Sequence, residues 1–314
     1  MQFWPHARAS KMYARVRSWT DTNQTKLLGF VGYKAGMTHL IFVDQNPTSH
    51  TKGMEISTPV TVIECPPMLP LAVRFYRSTP YGNVVLADVY ATKFEKELSR
   101  KIKLTKKKTE EPKEFDDVKL LAYTQPKKTG FGNKKPEIVE LGLGGKTLQD
   151  KLNHAKTLLA KEIKIGETFK EGQLVDTRSI SKGKGYQGPV KTHGVKIRQH
   201  KAEKTKRGPG SLGGWKGQGK ITYRVPHARK MGFHQRTDFN KLVMKISDKP
   251  EAVNANGGFV RFGLVKNEYV LLKGSVTGPA KRPIILTEAM RPRTAHKVQA
   301  PKITYISTES KQRR

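Results

Sequence analysis

The sequence predicts a mainly β chain that carries an α/β insertion, a long irregular basic extension and an extended N-terminal arm. Three observations support this. Short apolar runs bounded by Gly, Pro, Asp and Ser recur through 27–65, 163–182 and 241–288, the pattern of strands in a small barrel or sandwich. Helical stretches interrupt them within 66–162. Roughly fifty residues from Gly183 onward hold many glycines and no sustained period of 2 or 3.6, which points to a functional extension and away from a compact domain.

Residues 1–26 read as a solvated arm in which Arg8, Lys11, Arg15, Arg17 and Lys26 interleave with Phe3, Trp4, Tyr13 and Trp19. Cations alternating with flat rings are expected to take their order from RNA, with packing back on the chain's own fold as the alternative. From Leu27, LLGFVGYKAGMTHLIFVD predicts two short strands around a Gly-rich turn, and PVTVIEC a further strand closed by Pro66 and Pro67. Within 66–162, LAVRFYR and GNVVLADVY predict strands, while FEKELSRKI and KTLQDKLNHAKTLLAKEI predict helices. In the second helix Leu148, Leu152, Ala155, Leu158 and Leu159 recur at spacings of three and four, marking a face to be buried. EIKIGETFKEGQLVDTRSIS returns to short strands, followed after the basic loop at 183–240 by KLVMKIS, GFVRFGLVKNEYVLLKGSV and RPIILTEAMR. A polar basic tail, 289–314, ends in Lys311, Arg313 and Arg314.

The 314 residues include 60 Lys+Arg against 26 Asp+Glu, a formal charge of +34. An excess of this size repels itself in a compact fold unless a polyanion neutralises it. It is also uneven: residues 178–245 hold 18 Lys+Arg and two acidic residues, Glu203 and Asp238, or +16 where the chain has least core of its own. A membrane partner is not expected, because nothing approaches the 18 or so apolar residues of a spanning helix and no long basic amphipathic helix is present. The N-terminal segment lacks the apolar run of a secretory signal. The single cysteine, Cys65, excludes a disulfide framework or a thiolate zinc site and reads as a small buried hydrophobe.

Motifs reminiscent of enzymes fail on context. GKGYQG at 183–188 fits G-x-G-x-x-G, but Pro189 and the glycine- and lysine-rich sequence after it offer no helix to face a pyrophosphate. GLGGKT at 142–147 is similar to a P-loop, yet Glu140 stands where its first glycine belongs, so the segment reads as a helix N-terminus. His193, His200, His227 and His234 lack metal-ligand spacing and carboxylate companions, and they suit contact with phosphates or bases better. No catalytic residue, metal, cofactor or small-molecule substrate is expected.

The loop instead has the ingredients of an RNA-binding surface. Charge comes first from Lys182, Lys184, Lys191, Lys196, Arg198, Lys204, Lys206 and Arg207. Beyond the tip it comes from Lys216, Lys220, Arg224, Arg229, Lys230 and Arg236, with His193, His200 and His234 beside them. Tyr186 and Trp215 supply flat surfaces, and Trp215, set among Gly210, Gly213, Gly214 and Gly217, reads as a wedge or stacking residue. No recognition helix, heptad or zinc finger suggests a DNA-binding regulator.

GYKAGMT at 32–38, EGQLVDTRSISKGKGYQGPVKTHGVK at 171–196, GSLGGW at 210–215, MGFHQRT at 231–237 and VKNEYVLLKGSVTGPAKRP at 265–283 together resemble the universal ribosomal protein L-three family in its archaeal form. The resemblance covers nearly the whole chain. It implies a translation-protein-type β-barrel over 27–65, 163–182 and 241–288, an α/β insertion over 66–162, and an rRNA-penetrating extension with Trp215 at its tip near the peptidyl transferase centre. It also implies a cytoplasmic ribosomal constituent whose partners are large-subunit rRNA and neighbouring large-subunit proteins, with Lys34, Lys281 and Arg282 added to the rRNA-binding residues of arm and loop. Lys206 stands where eukaryotic members place a modifiable histidine, so that modification is not carried over. The alternatives are an RNA-acting enzyme, which would need a catalytic constellation absent here, and a free nucleic-acid chaperone, which would not need these motifs.

Overall fold

The computed structural model describes residues 5–46, 48–103, 110–214, 219–292, 299–310 and 312. The chain opens into β1 (Gly29–Val43), β2 (Glu55–Glu64), β3 (Leu69–Thr79), β4 (Gly82–Tyr90), β5 (Asp117–Tyr123) and β6 (Ile138–Gly142). Helix α1 (Leu148–Leu159), the short α2 (Ile165–Thr168) and β7 (Leu174–Ile180) follow. The extension carries β8 (Tyr186–Gln187), α3 (Pro189–His193) and β9 (Arg229–Lys230). After it come β10 (Gln235–Ser247), β11 (Tyr269–Lys273), β12 (Pro283–Glu288) and β13 (Lys302–Ile306). The fold is mainly β, as expected from the apolar runs.

One sheet has the order β12-β7-β10-β11-β2-β1-β13, and β12 also pairs with β1, so six strands form a closed cycle of antiparallel ladders with β13 attached to the far end of β1. A second sheet, β4-β3-β5-β6, lies within 66–162 and carries α1 on β3 and β5. The two sheets share a core in which Phe30 and Val31 of β1 and Ile284, Ile285 and Leu286 of β12 join Phe75, Leu120 and the α1 residues Leu152, Ala155 and Leu158. A second cluster gathers Tyr33, Leu40, Val60, Met244 and Tyr269, with Phe131, Phe259 and Phe262 from loops.

Local sequence accounts for the main elements and for several departures from expectation. The Gly-rich turn expected within 27–44 is absent: β1 runs through it as one strand with a bulge between Lys34 and Gly36. Its glycines serve close approach, since a Cβ on Gly32 would sit 2.8 Å from Cys65 Sγ and one on Gly36 would sit 2.6 Å from the Phe259 ring. The predicted helix face on α1 is buried at Leu152, Ala155 and Leu158, whereas Leu148 is exposed in the first turn. GLGGKT forms the expected helix start: Thr147 Oγ1 accepts the Asp150 N–H at 3.1 Å and Asp150 returns the bond to the Thr147 N–H. FEKELSRKI forms only a 3-10 turn at Lys96–Arg100. EIKIGETF gives an isolated bridge at Ile163 and α2 in place of a strand. GFVRFGLV is a loop, with Gly258 and Gly263 at φ +77° and +99°, that inserts Phe259 and Phe262 into the core. Part of the polar tail forms β13.

The arm departs furthest from expectation: where it is described, it lies on its own fold. Ala14 and Val16 are buried while Arg15 and Arg17 point outward, an alternation that lays one edge on the core and leaves the other basic. Backbone bonds from Gly145 N–H to Thr22 O (3.0 Å) and from Gly144 N–H to Lys26 O (2.8 Å) fix its end, and Lys26 pairs with Glu288 at 2.8 Å. Trp19 fills a slot floored by two glycines: a Cβ on Gly29 or Gly142 would come within 2.8 or 2.6 Å of its ring. Trp19→Ala is expected to cost about 2 to 3 kcal/mol, somewhat under a fully buried Trp because this one is partly exposed. Faster proteolytic cutting within residues 5–26 and a lower Tm would register the loss, and an unchanged cleavage rate would count against the anchor.

Candidate nucleic-acid interface

The extension is not irregular from its first residue. Beyond β7 and β10 the two chains continue side by side as a stalk. Ser181 and His234 bond through Ser181 N–H to His234 O (2.9 Å) and His234 N–H to Ser181 Oγ (3.1 Å). Lys184 N–H reaches Met231 O, Met231 N–H reaches Gly185 O (both 2.9 Å), and β8 then pairs with β9. Gly232 makes the close passage possible, because at φ +79° an added Cβ would collide with the Lys182 carbonyl. Gly232→Ala is expected to weaken the stalk by about 2 kcal/mol or more, from positive φ plus the collision. Hydrogen exchange of the Lys184 and Met231 amides should accelerate while that of β11 stays slow.

Beyond the stalk, a one-turn helix does follow GKGYQG, contrary to the sequence expectation: α3 opens on Pro189 and is capped by Gly194 at φ +68°. The preceding β8 is antiparallel to β9, so the βαβ setting of a dinucleotide site is still missing. Farther out, Arg198 N–H bonds to Lys206 O at 3.0 Å and closes a loop short of the tip.

The residues singled out from the sequence fall into three groups. Arg8, Lys11, Arg15 and Arg17 on the arm, Lys182, Lys184, Tyr186, Lys191, Lys196, Arg198 and His200 on the outgoing strand, and Lys204, Lys206, Arg207, Lys220, Arg224 and Lys230 on the rest of the extension are exposed, as is Lys281. Three others, expected as contact residues, turn inward. The Lys34 ammonium donates to the carbonyls of Val276 and Gly278, and burial lowers its pKa. Arg282 lies 5.3 Å from the centre of the Phe233 ring and has its pKa lowered by burial. His234 is buried, and its Nδ1 lies 2.8 Å from the Ala7 carbonyl, tying arm to stalk. His193, Arg229 and Arg236, half-buried, gather with His6 around a cavity at the foot of the stalk. Trp4, Trp215 and Lys216 lie outside the described residues.

Charge compensation differs sharply between the regions. Carboxylates partner several of the lysines and arginines of the four-stranded sheet and its surroundings: Arg74 with Asp88 (2.7 Å), Lys101 with Glu137 (2.6 Å), Lys119 with Glu140 (3.0 Å). Lys182, Lys184, Lys191, Lys204, Lys206 and Lys220 have no carboxylate within ion-pair distance among the described residues. Their mutual repulsion is not compensated by any carboxylate among the described residues, the electrostatic state of a surface suited to meet a polyanion. His6 was missed in the sequence, although its place in the basic HAR triplet was a signal available there.

Comparison with known proteins gives this surface a setting. The family model described as Ribosomal protein L3 matches residues 1–115 and 103–313. A large ribosomal subunit protein uL3 of Methanothermobacter thermautotrophicus is 44% identical over 324 aligned positions, covering 99% of this chain and 96% of the relative. The protein of the same name from Methanocaldococcus jannaschii is 43% identical, with the same coverage of both chains, and that of Methanobrevibacter smithii is also 43% identical. The matched stretches take in the arm, both sheets and the stalk with its uncompensated lysines, and on that footing the chain belongs to the ribosomal protein L3 family, in its archaeal form.

Proposed function

We propose that the chain is a non-catalytic constituent of the large ribosomal subunit that binds large-subunit rRNA through its extension and the basic edge of its arm. The sheets act as a platform from which the stalk carries the extension into folded RNA, assisting assembly and organising RNA around the peptidyl transferase centre. The observation that carries this reading is the contrast in compensation: several cations around the four-stranded sheet are paired with carboxylates, whereas among the described residues Lys182, Lys184, Lys191, Lys204, Lys206 and Lys220 of the extension have none. Neighbouring large-subunit proteins are the other expected partners.

Co-sedimentation tests the reading. The protein should travel with intact large subunits in moderate salt; protein remaining at the top of the gradient while subunits stay intact would contradict it. Trp215→Ala should leave both sheets folded and alter chemical footprints or drug responses at the catalytic centre of the subunit. Unchanged footprints and unchanged translation would remove Trp215 from the tip's function.

A further inference from the structure

The foot of the stalk encloses a cavity of about 650 Å³, open on one side and lined by Lys182, Lys184, Arg229, Arg236, His6 and His193 together with Lys230 and His234. Among the described residues, no carboxylate lines it. Each element around it contributes positive or protonatable groups: the arm His6, the strand leaving β7 Lys182 and Lys184, α3 His193, β9 Arg229 and Lys230, and β10 Arg236. Within it, Nε and Nη1 of Arg229 are sealed from solvent and have no hydrogen-bond partner among the described residues. Two guanidinium nitrogens stripped of water and left without an acceptor are costly, and an oxyanion removes that cost through charge-assisted bonds.

We propose that this cavity seats one RNA sugar–phosphate unit, its phosphate held by Arg229 with Lys182 and Arg236 and closed over by His6 and His193. The proposal rests on the rRNA-binding reading and deepens it by naming a place where a backbone phosphate enters. Two features favour a nucleotide unit over a free ion. The volume exceeds what one inorganic anion fills, and a second cavity of about 470 Å³ adjoins across His6, His193 and Arg229, lined by Ile221, Tyr223 and Val225, against which a base or sugar can rest. The arm is part of the seat, because the bond from His234 to Ala7 holds His6 over the cavity. Burial, then the field of Arg229, keeps both His6 and His193 below the ordinary histidine range, with His227 opposing the effect at His193 and Arg236 and His234 adding to it at His6. A phosphate among them favours the charged imidazoles, so binding takes up protons and affinity rises as pH falls, by up to about tenfold per pH unit for each imidazole.

The test uses the full chain with ¹³C-labelled histidine, titrated over pH with inorganic phosphate or with a uridine trinucleotide at matched ionic strength. The trinucleotide should raise the ring pKa of His6 and His193, leave the exposed His50 signal in place, and bind more tightly at pH 6 than at pH 8. Arg229→Gln should weaken that binding about tenfold or more and abolish both shifts. If Arg229→Gln disrupts folding, Lys182→Gln, at an exposed position on the same cavity, should weaken binding in the same direction. Shifts produced by inorganic phosphate but not by the trinucleotide, or by neither, would overturn the proposal. Binding to large-subunit rRNA, measured in parallel, separates the two levels. Wild-type protein that binds rRNA with His6 and His193 unmoved overturns the seat alone, whereas protein that does not bind rRNA overturns the function on which the seat rests.

Discussion

Replacing Lys182, Lys184, Lys191, Lys204, Lys206 and Lys220 together by Ala is expected to flatten the salt dependence of rRNA binding more than any other change to the surface. Each phosphate neutralised by a lysine releases condensed counterions, and losing one lowers the slope of log K against log salt by about 0.7 to 0.9. If all six meet phosphates, the slope falls by about 4 to 5. The prediction follows from these side chains being exposed and without carboxylate partners among the described residues. The sheets should be indifferent, because none of the six contributes to either core cluster. Binding isotherms at four or five salt concentrations measure the slope; one that does not move would mean these lysines face solvent in the complex.

The largest effect on stability is expected at Glu64, a residue that charge counting would pass over. It is fully buried at the end of β2, and its Oε1 accepts from Lys266 N–H (2.8 Å), Asn267 N–H (3.0 Å) and Asn267 Nδ2 (2.7 Å). These bonds hold the loop that feeds β11, whose Tyr269 pairs with Glu64 across the ladder. Glu64→Ala removes a fully buried acceptor from three donors at once and should cost about 3 to 5 kcal/mol. Glu64→Gln keeps an acceptor oxygen in place and should cost far less. Urea midpoints of the two variants check the pair, and equal losses would show that the cost is one of packing, with the hydrogen bonds contributing little.

The elements legible in the sequence are those whose stability is local. Helix α1 announced itself because Leu152, Ala155 and Leu158 share one face and Thr147 with Asp150 caps its start. The central parts of β2, β3 and β12 were legible as dense apolar runs, broken only by Thr61 in β2 and Arg74 in β3, because these strands are largely covered on both faces. What escaped depends on distant partners. β13 has three of its five residues exposed and owes its form to pairing with β1. The first half of β10 is polar and half-exposed and is a strand because β7 lies beside it. Phe259 and Phe262 are apolar because they plug a core from a loop, so the expectation of a strand there followed the right chemistry to the wrong shape.

The same division governs the interface. Net charge and its concentration in 178–245 were legible because they are sums over sequence. Which cations turn inward was not: Lys34 reaches carbonyls at Val276 and Gly278, and Arg282 covers Phe233, contacts between segments far apart in the chain. Nor could the sequence show that the arm docks on the stalk. That docking is made by Ala9 N–H on Phe233 O (2.8 Å), by His234 on Ala7 O, and by Gln235 bonding both the N–H and the carbonyl of Arg15. The arm is therefore better understood as a strap whose outer edge is basic than as a free tail.

Whether rRNA meets the charge of the extension is decided by lysine acylation footprinting of the free protein and of the protein in assembled large subunits. Lys182, Lys184, Lys191, Lys204, Lys206 and Lys220 should react readily in the free protein and become strongly protected in the subunit, with much smaller changes at the exposed Lys93 and Lys96 beside the four-stranded sheet. Extension lysines that react as fast in the subunit as in the free protein would contradict the rRNA-binding reading.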